Sequence, residues 1–340
     1  MSTPNLKILA GDVGGTNTRL SVWTIESKKL TQIGHPVRFK NVDYKSLCEI
    51  VTNFGSDQGL FTDVCIGIAG PVDERRVRMT NIAHWPEVTA DDLAKALRIS
   101  DAHRVNLLND MPAHAWSLQA IEDSMPEQLK VINAGNVRPK GTRAIIMPGT
   151  GFGAGFMVWD EHLKAHRPMP AEGGHEQIAA RNDEETALFA SMRTFVAREG
   201  QTSLTREMLV SGRGLRAIYA CLRDPKNPTL DEVPKSEEFV KLERTDRVAK
   251  KTLDMFVNML AGICGDAAFG YLATGGLYLG GSIANSLADR IQSPLFQDVF
   301  KTSGPTNLRQ LIGSIPVKLV CFQETGLLGA ASCAVVMRGH

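Results

Sequence analysis

Two glycine-rich segments, each lying between apolar runs, carry the residue types that a phosphate-binding turn requires. One reads Gly-Asp-Val-Gly-Gly-Thr-Asn over residues 11–17, and the other reads Gly-Thr-Gly-Phe-Gly over residues 149–153. Because glycine has no Cβ, consecutive backbone N–H groups in such turns can approach an anion closely. Either segment alone would be an ordinary tight turn, but two in this order predict a polyphosphate site. Its predicted contacts are Gly14, Gly15, Thr16, Asn17, Gly149, Thr150 and Gly151.

A carboxylate, Asp12, precedes the first glycine pair at the end of a predicted strand. Oxygen ligands suit Mg²⁺, which keeps several waters and is held by few carboxylates. An exposed aspartate in a turn is the alternative interpretation. No Gly-Lys-Ser/Thr follows, so this is not a Walker loop, and a strand rather than a helix follows the glycines, which argues against a dinucleotide-binding fingerprint.

A third glycine pair, Gly280 and Gly281, lies between a predicted strand at 276–279 and a helix that starts near Ser282. Bare backbone at this point would let a flat adenine ring lie against it. Close packing of the helix on the strand is the alternative explanation.

A candidate base, Asp110, follows Asn109 at the end of a predicted strand over residues 104–108. In an open α/β sheet, the carboxyl ends of the strands face the ligand crevice. A carboxylate there can accept the proton of an attacking alcohol. The alternative is a helix N-terminus, because Pro112 suits the first helical turn.

The segment Glu172-Gly173-Gly174-His175 places a carboxylate and an imidazole on either side of two flexible residues. This pair suits hydrogen bonding to adjacent hydroxyls of a sugar. Glu-x-x-His is also a loose zinc-ligand spacing, but it crosses a glycine turn and no cysteine or carboxylate cluster supports a closed metal site. The other polar candidates are Asn81 and Glu207.

The elements that must position these residues alternate between strands and helices, which predicts an α/β fold. Strand-turn-strand patterns over residues 6–25 and 144–159 open two halves of similar design. A strand is also predicted at 64–69, and Thr89 with Asp92 predicts the start of a short helix. Longer helices are predicted at about 183–199, 203–222 and 246–271, with a charged, proline-rich surface excursion at 224–238.

Composition excludes several classes of protein. The 340 residues carry 38 basic and 37 acidic side chains, so the net charge of +1 provides no basic field for nucleic acid. The six cysteines form no Cys-x-x-Cys pair and are interpreted as buried, reduced thiols. No charged and apolar leader opens the chain, and no apolar run approaches the roughly 18 residues of a membrane span. A cytoplasmic protein with no membrane partner is the expectation.

The ordered set of motifs closely resembles bacterial-type glucokinases over essentially the whole chain. The residues that carry the resemblance are 11–17, Met-Thr-Asn at 79–81, Asn109-Asp110, 149–153, 172–175 and Leu-Val-Ser-Gly-Arg-Gly-Leu at 209–215. Related repressor-type sugar kinases carry a cysteine-rich zinc motif after their Glu-x-Gly-His, and residues 176–199 contain no cysteine. Ala171 also replaces a glycine that is common before this motif.

The resemblance implies a two-lobed actin-like, ribonuclease-H-like ATPase fold with a cleft between the lobes. The small lobe would comprise residues 1–111 and about 325–340, and the large lobe residues 112–324. The implied reaction transfers the γ-phosphoryl group of ATP to the 6-hydroxyl of glucose, with Mg²⁺ near Asp12. Asp110 would be the base, and a homodimer is implied. The implied sugar contacts include Asn109, Asp110, Glu172, His175 and Glu207.

Two alternatives stay open. One is a kinase for another hexose or for an N-acetylhexosamine. The other is a switch or chaperone-like ATPase of the same fold, because the fold does not decide the function. A switch ATPase would need the phosphate turns but not the polar residues suited to a sugar.

Overall fold

The computed structural model describes residues 6–26, 29–79 and 81–338, and the chain divides into two compact units. The first unit comprises residues 1–127, 160–168 and 324–340, and the second comprises 128–159 and 169–323. The boundary predicted at residue 111 falls inside a helix, whereas this division keeps the whole helix in the first unit.

The strands of the described residues are, in chain order, β1 (Ile8–Val13), β2 (Asn17–Glu26), β3 (Lys29–Lys40), β4 (Asp63–Ile68), β5 (Val72–Asp73), β6 (Arg76–Val77), β7 (Val88–Thr89), β8 (Val105–Asn109), β9 (Leu129–Asn133), β10 (Arg143–Pro148), β11 (Phe152–Asp160), β12 (Ala165–Met169), β13 (Gly276–Leu279) and β14 (Val317–Val320).

The α-helices are α1 (Leu47–Gly55), α2 (Ala90–Leu97), α3 (Asp110–Ser124), α4 (Asp183–Arg198), α5 (Arg206–Leu209), α6 (Gly212–Arg223), α7 (Phe239–Leu242), α8 (Arg247–Gly270), α9 (Gly281–Ser286), α10 (Ala288–Ile291), α11 (Pro294–Thr302), α12 (Arg309–Gly313) and α13 (Thr325–Arg338).

The first unit is built on a sheet with the strand order β3-β2-β1-β4-β8. The β1–β2 hairpin is antiparallel, whereas β1, β4 and β8 run parallel, so β1, β4 and β8 end at the same edge. Leu9 and Ile66 of the central strands are fully buried in a core shared with Leu47 of α1 and Leu93 of α2. Helices α3 and α13 pack on each other, and both contact β4.

The crossing of α13 on α3 depends on a missing side chain. A Cβ at Gly329 would overlap the carbonyl oxygen of Ala113, so the helices approach to backbone contact there. Gly67 of β4 is similarly close, because its Cβ would lie 2.6 Å from the Ala113 Cβ. Any larger residue at Gly329 would push α13 away from the elements that carry Asp110.

The second unit is built on a sheet whose strands run in the order β11-β10-β13-β14-β9. The β10–β11 pair is an antiparallel hairpin, and β10, β13 and β14 run parallel. Its core includes Phe189 of α4, Ile218 of α6, Phe256 and Leu260 of α8, and Phe296 of α11.

Helix α8 corrects one expectation about membrane spans. By length and composition it could cross a membrane, although no such apolar run was predicted from the sequence. However, 72% of its most apolar window is buried inside the structure, where Phe256, Leu260 and Ile263 are fully buried. Its apolar character is therefore that of a core helix.

Most predicted elements are confirmed, with one clear error. Both glycine hairpins, the strand at 276–279 and the helix capped by Thr89 are present, and Thr89 and Asp92 form a reciprocal capping box. The single helix predicted at 203–222 is wrong, because Val210 and Ser211 interrupt the helix and separate α5 from α6. All six cysteines are free, and four are buried.

Gly329→Ala should destabilise the protein because the added methyl group meets the backbone of α3. Overpacking of this kind costs about 1–3 kcal/mol, so the melting temperature should fall. Gly270→Ala is the matched control, since it ends α8 and a Cβ there has no neighbour within 4 Å. Calorimetry that finds equal melting temperatures for the two variants would contradict the close crossing.

Candidate active site

The first glycine hairpin connects β1 to β2 through the exposed residues Gly15 and Thr16. The Gly14 N–H donates to the Asn17 carbonyl at 3.0 Å, which closes the turn. Asn81 lies beside it, because its Cβ is 3.4 Å from the position that a Cβ would take at Gly15. Asn81 is thus near the first glycine hairpin in the first unit, while Thr80 of the same motif lies outside the described residues.

A buried asparagine that the sequence analysis missed holds this turn in place. Asn41, only 1% exposed, donates from Nδ2 to the Gly14 carbonyl at 2.7 Å. Its Oδ1 accepts from the Thr18 hydroxyl at 2.8 Å, and its backbone N–H donates to the Thr16 carbonyl at 2.9 Å. An isolated asparagine after a strand gives no sequence signal of this role.

Asp12 lies opposite Arg19 in the β1–β2 pair, and the Arg19 guanidinium donates to its carboxylate. The Asp12 side chain is 17% exposed, so part of the carboxylate remains accessible. Both residues lie on the strands that flank the glycine turn. Arg19 therefore adds a positive charge near the predicted phosphate site, which the sequence analysis did not anticipate.

Asn109 and Asp110 lie where β8 ends and α3 begins. Asn109 is the N-cap: its Oδ1 accepts from the Met111 N–H at 3.2 Å, while its Nδ2 donates to the Gly70 carbonyl at 3.0 Å. Asp110 accepts from the same N–H at 2.8 Å. The N-cap interpretation is therefore confirmed for this pair, and it holds the Asp110 carboxylate at a helix N-terminus, where the helix dipole favours negative charge.

The imidazole of His114 is close enough to Asp12 and Asp110 for both carboxylates to affect its pKa. Burial lowers its pKa, the negative charges of Asp12 and Asp110 oppose this shift, and Arg19 adds to it. His114 is not singled out by the sequence analysis. Its position one helical turn after Asp110 is a signal that could have singled it out.

The second glycine hairpin connects β10 to β11. The Gly149 N–H donates to the Gly151 carbonyl at 2.9 Å, and the Gly212 N–H donates to the Gly149 carbonyl at 2.9 Å. The interruption of the helix between α5 and α6 places Gly212 beside Gly149. Thr150 is exposed at the tip of the turn.

Glu207 lies against this hairpin. Its Oε2 accepts from the Phe152 N–H at 3.0 Å, and a Cβ at Gly151 would lie 2.7 Å from the same oxygen. Its own N–H donates to the Gly174 carbonyl at 3.0 Å. Glu207 thus joins the second glycine hairpin to the loop that carries Glu172 and His175.

The loop from Glu172 to His175 exposes both of its polar side chains, and the His175 Nδ1 lies 3.5 Å from the Glu172 Oε2. A Cβ at Gly174 would overlap the Phe152 carbonyl oxygen, so the loop packs directly on the hairpin. Arg206, also missed from the sequence, fixes its far end: the backbone N–H donates to the Glu176 carbonyl, and the guanidinium pairs with the Glu176 carboxylate at 2.7 Å.

The third glycine pair follows β13 and packs against the end of β10. The Gly280 N–H donates to the Ile146 carbonyl at 2.9 Å. Gly281 has a φ of +87°, and a Cβ there would lie 2.5 Å from the Pro148 carbonyl oxygen. Close packing therefore requires glycine here, and the bare backbone also borders the Gly149 turn, where Ser282 Oγ is 3.8 Å from a Cβ placed on Gly149.

The structure thus assembles two groups of predicted residues. The first unit holds the first hairpin with Asp12, Asn81, Asn109 and Asp110. The second unit holds the second hairpin with Glu172, His175, Glu207, Gly280 and Gly281.

Comparison with known proteins identifies the family. The family model described as Glucokinase matches residues 9–337. The chain belongs to the glucokinase family. A glucokinase of Brucella melitensis is 30% identical over 331 residues, which cover 96% of this chain and 90% of that protein. The resemblance drawn from the motifs is thereby confirmed, and as a glucokinase-family member the chain is a kinase, a transferase of phosphoryl groups.

Solved structures of glucokinases share the fold. The glucokinase from an Antarctic psychrotroph has a TM-score of 0.82 and 27% identity, covering 97% of this chain and 98% of that one. A ROK family glucokinase from Streptomyces griseus, solved with glucose and AMPPNP, has a TM-score of 0.58 and 18% identity, covering 97% and 99%. The predicted actin-like, two-lobed ATPase fold is confirmed for this glucokinase-family chain.

Asn41→Ala should destabilise the first unit, because it leaves the buried groups of Gly14 and Thr18 without their partner. A buried polar group left unpaired costs about 1–3 kcal/mol. Thr18→Val is the matched control, since it removes the Asn41–Thr18 bond and leaves the bond to Gly14. Urea unfolding should rank wild type, Thr18→Val and Asn41→Ala in decreasing stability; equal stability of the two variants would contradict the role of the Gly14 bond.

Proposed function

We propose that this glucokinase-family enzyme transfers the γ-phosphoryl group of ATP to the 6-hydroxyl of glucose, with Asp110 as the general base. The observation that carries the proposal is the double contact of Glu207. It binds the Phe152 N–H of the glycine hairpin and, through its own N–H, the loop of Glu172 and His175. Phosphate-binding and hydroxyl-binding groups therefore belong to one assembly, which a switch ATPase would not need.

Glucose is the proposed sugar because the exposed Glu172 and His175 present an acceptor and an imidazole side by side. Adjacent hydroxyls of a hexose match this pair, and Asn81, Asn109 and Glu207 supply further hydrogen-bonding groups. The names of the relatives and the glucose bound in the Streptomyces griseus structure support the same choice. The AMPPNP of that structure supports ATP as the phosphoryl donor.

Asp110 acts by accepting the proton of the sugar hydroxyl as its oxygen attacks phosphorus. Its position at the N-terminus of α3 is favourable for a carboxylate, because the helix dipole favours negative charge there. The Met111 N–H and the Asn109 cap hold the carboxylate at the end of β8. General-base catalysis of this kind contributes about 10²–10⁴-fold to the rate.

Backbone N–H groups of the two glycine hairpins would bind the phosphates, and Gly280 and Gly281 would lie against the adenine ring. Phosphoryl transfer needs mainly positioning and charge stabilisation from the protein. The guanidinium of Arg19, beside Asp12, adds positive charge to the first hairpin.

The residues present fit Mg²⁺, since Asp12 offers a partly accessible carboxylate between a phosphate turn and an arginine. Magnesium commonly binds through one or two carboxylates together with substrate phosphates. Asp12 would hold the ion, and the ion would neutralise charge on the phosphoryl oxygens.

The proposal also places the enzyme in the cytoplasm as a homodimer that acts in glycolysis, as the family resemblance implies. The balanced charge of 38 basic and 37 acidic residues supports the absence of a nucleic-acid partner.

Asp110→Asn should abolish most glucose phosphorylation while the protein stays folded. The amide keeps the shape of the side chain but cannot accept the proton, so kcat should fall at least about 100-fold. Asp123→Asn, an exposed position in the same helix, is the matched control. A coupled assay over a panel of hexoses with ATP measures both variants. Near-normal kcat for Asp110→Asn would refute the base assignment, and turnover of ATP without any hexose would favour the switch ATPase.

Glu172→Gln should raise the KM for glucose more than the KM for ATP. Hydrogen bonds to a charged acceptor are worth about 1.5–3 kcal/mol, so the KM for glucose should rise about tenfold or more. Glu184→Gln, an exposed residue of the same unit that pairs with Lys251, serves as the control. Equal changes in both KM values would place Glu172 outside the sugar site.

A further inference from the structure

His114 lies one turn after Asp110 in α3, so both side chains are on the same face of the helix. Its Nδ1 lies 2.7 Å from the Oγ1 of Thr325, the first residue of α13. Thr325 is 4% exposed, so water has little access to compete for this bond. The contact joins the helix of the proposed base to the start of the C-terminal helix.

The start of α13 also borders the carboxylate of Asp12. A Cβ at Gly326 would lie 3.0 Å from the Cγ of Asp12 and 3.4 Å from the Cε1 of His114. The imidazole and the Asp12 carboxylate therefore both border the bare backbone of Gly326. The short segment of Thr325 and Gly326 thus contacts both His114, which lies one turn after Asp110, and Asp12.

The hydrogen bond to Thr325 does not depend on the protonation state of His114, because the Nδ1–H of a charged ring can also donate to the threonine hydroxyl. A neutral ring has one donor nitrogen and one acceptor nitrogen, and a threonine hydroxyl both donates and accepts. The bond to Thr325 can therefore form with either tautomer.

We propose that His114 is a positioning residue for phosphoryl transfer, and that its hydrogen bond to Thr325 sets the orientation of Asp110 relative to Asp12. The inference rests on the proposed function. The Asn109 cap fixes the start of α3 on the Gly70 carbonyl. The His114 bond supplies a second fixed point one turn later, which restricts rotation of the helix about its own axis.

Small errors in this orientation are costly, because a misplacement of about 1 Å in an active site can reduce the rate about 100-fold. Loss of the His114 bond should therefore reduce kcat. The KM for glucose should change little, because His114 is not one of the proposed sugar contacts.

A purely structural bond is the rival explanation, and Ser117 provides its control. The Ser117 hydroxyl donates to the His114 carbonyl at 2.7 Å, within the same helix, and the residue is fully buried. Ser117→Ala removes a hydrogen bond of similar length without removing the link to α13.

The test compares steady-state kinetics of the full-length enzyme in two matched series. Thr325→Ser keeps the hydroxyl, whereas Thr325→Val keeps the shape and replaces the hydroxyl with a methyl group. His114→Asn keeps a hydrogen-bonding atom near the position of Nδ1, whereas His114→Ala removes it. The double variant His114→Ala/Thr325→Val completes a mutant cycle.

We expect kcat to fall about 10- to 100-fold in His114→Ala and Thr325→Val, with the KM for glucose within about twofold of wild type. Thr325→Ser and His114→Asn should recover most of kcat, Ser117→Ala should leave it unchanged, and the double variant should be no worse than the worse single variant. If His114→Ala does not fold, the Thr325→Ser and Thr325→Val pair decides the question alone.

Additive losses in the double variant, a Thr325→Val enzyme with wild-type kcat, or an equal loss in Ser117→Ala would each overturn the inference. Asp110→Asn, measured alongside, separates the two proposals. If Asp110→Asn retains turnover, the base assignment fails. If only Asp110→Asn is impaired, the positioning role of His114 fails and the proposed function stands.

Discussion

Backbone contact between α13 and its neighbours is the constraint on which the first unit depends. Gly329 lets α13 meet the carbonyl of Ala113 in α3, and Gly326 lets the start of α13 border Asp12. With side chains at these positions, the helix could not lie against α3 and β1 together. The close approach of α13 to α3 and to Asp12 of β1 therefore depends on two residues that have no side chain.

In the second unit, a polar side chain rather than a glycine joins the parts of the candidate site. Its glycine hairpin and its Glu172–His175 loop are joined by Glu207, whose carboxylate and backbone each bind one of them. Arg206, next in the chain, secures the loop at Glu176. The interruption between α5 and α6 at Val210 and Ser211 places the Gly212 N–H where it donates to the Gly149 carbonyl of the same hairpin.

Elements with short-range signals were predictable from the sequence. The two hairpins follow from alternating apolar residues around glycine turns, and α2 follows from the Thr89–Asp92 capping box. The break between α5 and α6 was missed because helical periodicity runs through Val210, although Ser211 caps α6 by accepting from the Gly214 N–H at 3.0 Å. The tertiary contact of the Gly212 N–H with the Gly149 carbonyl also favours the interruption. Edge strands such as β3, with a mixed pattern of exposure, gave no clear alternation.

The candidate site shows the same division. Glycines and carboxylates at strand ends can be identified from the sequence as candidate site residues, because few other roles need those residues in that order. Asn41, Arg19 and Arg206 do not, since each acts through a partner distant in sequence or across a sheet. Their roles exist only after the chain has folded, and a single sequence contains no trace of the pairing.

The double attachment of Glu207 also limits how this enzyme can change its sugar preference during evolution. A substitution there would release the Phe152 N–H and alter the glycine hairpin along with the proposed sugar site. Substitution of Glu172 or His175 would not release the glycine hairpin in this way, because their side chains are exposed and, among the described contacts, lie only against each other. Under the proposed function, new specificities should therefore arise first through these two loop residues, because Glu207 also holds the second glycine hairpin.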